Sequence, residues 1–177
     1  MARKKSRKRR RRGRLIIFLV LAAALGAAGY YFLGSSHQAP EGPQLVLYFF
    51  RGDGALKPVM RPLETSPDPA QAIRALIAGP SPEEISAGYS TQIPTGVRLL
   101  SFKASNMTAE VNLSRELASY GGGAARVQGL LAQIVYTATE FRGIAKVKLL
   151  VNGSSDVVLG GEGLVVDKPM GRGDIKL

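Results

Sequence analysis

The 177-residue chain has room for one ordinary domain plus appendages, and its 24 Lys and Arg against 13 Asp and Glu give a formal charge of +11. It has no cysteine and a single histidine, His37, in a Gly/Ser/Pro-rich stretch. Disulfides, thiolate metal sites, a lipid-modified cysteine, and Ser/His or Cys/His catalysis therefore lack their parts, and no cofactor or metal is expected.

The charge is concentrated at one end. Ten of the basic residues lie between Arg3 and Arg14, so the other 14 Lys and Arg face all 13 acidic residues and leave a net of +1. Residues 1–14 thus read as a basic tail. From Leu15 to Leu33 no residue is charged, a length that matches the hydrocarbon thickness of a bilayer. Tyr30, Tyr31 and Phe32 close the stretch where aromatics favour the interface, and the preceding basic block places the N-terminus in the cytoplasm. The expectation is a signal-anchor helix over 15–33, with the C-terminal body outside the cell membrane. Ala27, Ala28 and Gly29 also offer small residues near a cut site, so a cleaved signal peptide stands as the alternative. Lipid contact and topology explain the tail without nucleic acid, and none is expected as a partner.

Residues 34–43 form a polar linker. Leu45–Phe50 then reads as a strand, followed by a turn at Arg51-Gly52-Asp53-Gly54. Leu56–Leu63 returns as an edge strand carrying Pro58 and Pro62. The Arg-Gly-Asp triplet matches a cell-adhesion motif, but turn chemistry accounts for it more simply. Asp68 and Pro69 open a helix whose stripe is Ile73, Leu76 and Ile77, and Gly79-Pro80 ends it. Ser81 with Glu84 forms a capping box for a second, short helix. Gly79, Pro80, Ser81 and Glu84 are thus a structural motif.

Val97–Lys103 reads as a strand, and Met107, Ala109, Val111 and Leu113 alternate as its antiparallel partner across an Ala104-Ser105-Asn106 link. Gly121–Gly123 precedes the strongest helix, Ala124–Phe141; no Lys-Ser/Thr follows the glycines, so they read as a helix entry and not as a phosphate loop. Val147, Leu149 and Val151 form a further strand, with Lys146 and Lys148 outward, and Leu164–Val166 a last one before a polar tail. The fold class expected is an α/β (α+β) two-layer sandwich: one mixed, largely antiparallel sheet with two main helices on one face, preceded by one transmembrane helix.

These segments resemble the GerMN domain family of exported bacterial envelope proteins. The similarity runs through LVLYF (Leu45–Phe49), AIRALIAGPSPEE (Ala72–Glu84), IPTGVRLLS (Ile93–Ser101), AEVNLSREL (Ala109–Leu117), QIVYTATEFRGIAKVKLLVNG (Gln133–Gly153) and the closing KPMGR (Lys168–Arg172). It spans residues 44–172, leaving 173–177 as a tail. The resemblance implies an α/β domain without established catalysis, acting in sporulation, germination or envelope assembly. Its layout is also similar to ring-building domains of sporulation secretion complexes. Many relatives carry a lipidated cysteine and the founding type has two copies; this chain has one copy and a basic-flanked helix instead.

No pair of carboxylates is tied by spacing to one face, so no enzyme is expected. The Asn-x-Ser/Thr triplets at Asn106, Asn112 and Asn152 read as chance in a bacterial envelope protein. Arg126, Gln133, Thr137 and Glu140 recur at helical spacing opposite the apolar face of the long helix. They read either as a solvated face or as a partner-contact surface; on both readings their replacement should barely change stability. The functional expectation is a membrane-anchored domain that binds envelope proteins or itself. Its alternative is a module binding peptidoglycan or a small molecule.

Overall fold

The computed structural model describes residues 42–119, 121–161 and 163–177. The basic tail, the 15–33 span and His37 lie outside the described residues. Among those described, no helix is long and apolar enough to cross a membrane.

The apolar run at the start of the body folds as β1 (Gln44–Arg51), with Leu45, Leu47 and Phe49 buried and the residues between them half-covered. After a tight turn in which the Gly54 N–H donates to the Arg51 carbonyl at 2.7 Å, β2 (Leu56–Pro62) returns antiparallel along the outer edge. Its prolines sit opposite Gln44 and Tyr48. Tyr48 directs its N–H and C=O away from β2, as described below, so Tyr48–Pro58 is a pair without ladder bonds. By the two-residue period Gln44–Pro62 is another. Each proline then turns its missing N–H outward, where a strand can accept it.

Helix α1 (Pro69–Ala78) is capped by Asp68, whose carboxylate accepts from the Ala70 and Gln71 amides at 3.3 and 3.2 Å. It buries Ala72, Ile73 and Leu76. Gly79 ends it at φ 85°. The short α2 (Pro82–Ser86) carries the expected capping box, closed by Glu84 N–H to Ser81 Oγ at 3.2 Å and Ser81 N–H to Glu84 Oε2 at 2.8 Å. Glu84 has a second role that spacing did not reveal. It takes a bidentate pair from Arg61 of β2 at 2.9 and 2.7 Å, while the same guanidinium donates to the Gly79 carbonyl at 2.9 Å. The whole Gly79–Glu84 motif is thereby fastened to the edge strand.

Strand β3 (Tyr89–Ser90) adds two residues to the far edge of β1. Strands β4 (Leu99–Ser105) and β5 (Thr108–Leu113) form the expected hairpin, but its turn begins two residues later, at Asn106. Asn106 and Met107 occupy it with φ 49° and 59°, the positive pair of a two-residue hairpin turn. Met107 is therefore 62% exposed and does not extend the buried face of β5. The long helix α3 (Ala124–Ala138) carries the chain across to β6 (Lys146–Val151), which lies parallel to β5. A small hairpin follows, β7 (Val157–Leu159) with β8 (Leu164–Val166).

Three sequence expectations change. Instead of one sheet there are three among the described residues, ordered β2-β1-β3, β4-β5-β6 and β7-β8. And α3 does not lie on a sheet with a wet outer face: residues Val127, Gly129 to Val135, Thr137 and Ala138 are all buried. It packs on α1 and touches both β1 and β6, so the core surrounds it. Nor is the C-terminus a free tail. Met170 pairs with Val147 through two 2.8 Å backbone bonds, and Ile175 packs on the core.

The Arg61–Glu84 lock makes a pH prediction. The Arg61 hydrogen bonds hold the Glu84 carboxyl below its ordinary 4.5, with the Ser81 amide assisting and burial opposing. A carboxylate with a depressed folded pKa contributes stability present above the unfolded value and lost as pH falls through the folded one. Thermal unfolding followed downward from about pH 5 should therefore show a shallower acid loss in Glu84→Gln than in wild type; equal slopes would refute the lock.

Candidate functional site

Gln133 and Thr137, one helical turn apart on α3, face the open edge of β1 and not solvent; both are 0% exposed. The Tyr48 N–H donates to Thr137 Oγ1 at 3.1 Å, and Gln133 Nε2 donates to the Tyr48 carbonyl at 3.0 Å. On the other side of its amide, Gln133 Oε1 accepts from the Gln92 N–H at 2.7 Å and from Thr91 Oγ1 at 3.2 Å. These bonds fix the amide orientation and tie β1 to the segment that follows β3. The two residues are buried structural clamps, so the expected stripe is not one continuous surface: its middle lies in the core.

Glu140, just past the end of α3, belongs to a second lock. Arg172 Nε donates to Thr139 Oγ1 at 2.8 Å, and its terminal nitrogen reaches Glu140 Oε2 at 2.6 Å and the Tyr136 carbonyl at 3.1 Å. The guanidinium lies 4.8 Å from the Tyr136 ring centre and 5.5 Å from that of Tyr48. The Tyr48 hydroxyl donates to the same Glu140 oxygen at 3.1 Å. Burial, then the neighbouring Glu140 carboxylate, push the Tyr48 phenol above its usual range. Sequence reasoning singled out Glu140 but gave Arg172 no role, because nothing in their 32-residue separation signals the pair.

Of the four stripe residues, Arg126 and Glu140 are exposed, and Arg126 lies in the first turn of α3, away from the Arg172 lock. It lines an open groove of about 630 Å³ together with Phe50, Arg51, Gly52, Ser90, Gln92 and Lys176. Three basic residues from three separate segments line it, and no Asp or Glu does so among the described residues. Arg51 was read from sequence as turn chemistry; its guanidinium stands 5.7 Å over the Tyr89 ring. Gly129 gives this region its close packing. A Cβ at that position would come within 3.1 Å of both Phe50 and Gln92. A second groove, of about 530 Å³, is lined by Arg74, Arg98, Thr95 and the apolar Ile77, Val97 and Leu99. Among the described residues no group of three acidic or histidine side chains could hold a metal.

Hairpins wrapped on one buried helix, locked by Gln133, Thr137 and Arg172, define a small mixed α/β domain. The chain belongs to the Germane family, described as sporulation and spore germination, whose family model matches residues 46–157. The first GerMN domain of the sporulation protein GerM from Bacillus subtilis is 26% identical with a TM-score of 0.61, over 74% of this chain and 98% of that one. The tandem GerMN domains of the same protein align at 23% identity and a TM-score of 0.57, over 73% of this chain and 45% of that one. A lipoprotein candidate from Clostridium perfringens is 30% identical with a TM-score of 0.53, over 75% of this chain and 91% of that one. No curated protein matches the chain.

The clamps and the groove separate cleanly by mutation. Gln133→Leu keeps the volume but strands the Tyr48 carbonyl and the Gln92 amide, and should cost about 2–4 kcal/mol of stability. Arg126→Glu, on the exposed first turn, should stay within about 0.5 kcal/mol of wild type. Chemical denaturation of both variants checks this; equal stabilities would contradict the placement of Gln133.

Proposed function

We infer that this protein is a membrane-tethered envelope protein whose GerMN domain binds protein partners, or a second copy of itself, during sporulation or spore germination, without a catalytic step of its own. The observation that carries the reading is the end-to-end match to a domain of a sporulation protein, covering 98% of that domain. The basic block ahead of an uncharged stretch at 15–33 supports the tether, with the N-terminus inside and the domain outside. The use of Gln133, Thr137, Glu140, Glu84 and Arg172 as internal locks also supports an architectural role, since each of these polar groups serves the fold.

A second reading, a domain that binds an envelope ligand, is favoured by the cationic groove over the start of α3. Cross-linking in intact cells followed by affinity capture from membranes, run beside binding to purified cell wall, separates the two. The interaction reading predicts the same envelope proteins, or this chain itself, cross-linked in the membrane fraction. Capture of wall material with no cross-linked protein would refute it.

A further inference from the structure

We propose that the outer edge of β4 takes up an extended segment of a partner protein, alternating apolar with acidic residues, as an added strand. Strand β4 is the outer strand of its sheet and has β5 on one side only. Its bonds to β5 alternate along the strand. The Arg98 N–H donates to Ser114 Oγ at 2.9 Å, and the Arg98 carbonyl accepts from the Ser114 N–H at 2.9 Å. At the far end Ser105 and Thr108 flank the two-residue turn and exchange their bonds across the ladder. Counting inward from both ends, through the irregularity between Leu99 and Ser101, turns the N–H and C=O of Leu99, Phe102 and Ala104 away from β5. Among the described residues no group meets them. The outer strand of the first sheet is built differently. It places Pro58 and Pro62 at its outward positions, where no N–H is left to offer. Strand β4 has no proline and keeps its donors, and an edge of that kind is a template for strand addition.

The surroundings of this edge specify the side chains of the added strand. Beside the start of β4 lies the groove of about 530 Å³, lined by Ile77 and Ala78 of α1 and by Val97 and Leu99. Successive side chains of a strand point to opposite faces of its sheet. On the inner face an added strand would enter this groove, which calls for apolar residues. On the outer face it would run beside Arg98 and Lys103, both exposed. The carboxylates nearby do not cancel these charges. Glu116 is shared by Arg98 and Arg115, and Glu110 stands in register between Lys103 and Lys148. Arg74 adds a further cation to the groove, which no Asp or Glu lines among the described residues. The border of the open edge is therefore net positive, and its complement is acidic. The proposal rests on the interaction reading and deepens it, by naming the surface and the chemistry of the partner.

The basic tail attracts acidic peptides too, so the readout must be resolved by residue. In the full-length protein in detergent micelles, amide hydrogen exchange is followed by NMR with and without a short peptide alternating valine and glutamate. The free protein should exchange the Phe102 and Ala104 amides fast and the Lys103 amide, bonded to β5, slowly. Saturating peptide should slow Phe102 and Ala104 several-fold and leave Lys103 unchanged. Ala104→Pro, at an exposed position whose amide bonds to nothing described, copies the device of β2. It should abolish the slowing at Phe102 with an unaltered melting temperature. Lys103→Glu keeps every backbone donor and should raise the peptide concentration needed several-fold. Slow exchange of Phe102 and Ala104 in the free protein, unchanged exchange with peptide, equal protection by a valine–lysine peptide, or protection that survives Ala104→Pro would overturn the proposal. Protection that appears on concentrating the protein without peptide also overturns it, since a second copy then covers the edge. Membrane cross-links to protein partners that persist in Ala104→Pro sink this site alone, whereas their absence from the wild type sinks the interaction reading itself.

Discussion

Tyr48 presents a backbone N–H and C=O to the one side of β1 that has no strand to receive them. Beyond Phe50 and Arg51 the neighbouring β3 is only two residues long, and an unpaired amide buried at this depth would cost roughly 1–3 kcal/mol. Helix α3 supplies the missing edge with side chains: Thr137 accepts from the N–H and Gln133 donates to the C=O. Much else depends on this substitution. It draws α3 into the interior and leaves no room for another strand beside β1, so the first sheet ends there and cannot join the second. It also turns the β2 side of Tyr48 into a pair without ladder bonds, the register in which Pro58 loses nothing.

The remaining locks fasten the periphery to that centre. Arg61 binds the α1–α2 connection to β2 through Glu84 and the Gly79 carbonyl. Arg172 binds the C-terminal segment to the end of α3 through Thr139, Glu140 and two aromatic rings. Each is a guanidinium engaged in several ways at once, a geometry that lysine could not reproduce. Four of the six stretches that carry the family likeness in sequence hold residues of these locks. Gln133, Tyr136, Thr137, Thr139 and Glu140 all fall within eight residues, and their partners include Tyr48 in the opening strand and Arg172 near the close.

Elements with a local cause were legible in the sequence. Asp68, Gly79 and the Ser81–Glu84 box marked their helix ends because capping is a short-range bond, and the alternation through Ala109, Val111 and Leu113 marked β5. What failed depended on contacts distant in the chain. Gln133 and Thr137 looked like a wet face because helical spacing shows that polar residues align, not what they align against. Met107 continued the alternation by type but belongs to the turn. Strands β3 and β7 are too short to leave a periodic trace. The groove was half legible: Arg126 was marked, while Arg51 and Lys176 join it only once β1, α3 and the C-terminus are folded together.

Architecture and proposed role meet in α3. Its interior face builds the domain, and its first turn, left without a side-chain cap, lines an open groove through Arg126. The account rests on α3 side chains standing in for a strand at Tyr48, and amide hydrogen exchange in Thr137→Val tests that most directly. The account predicts that the Tyr48 amide exchanges much faster than in wild type while Phe49, whose amide faces β2, keeps its protection. Unchanged protection at Tyr48, or equal loss at both amides, would contradict it.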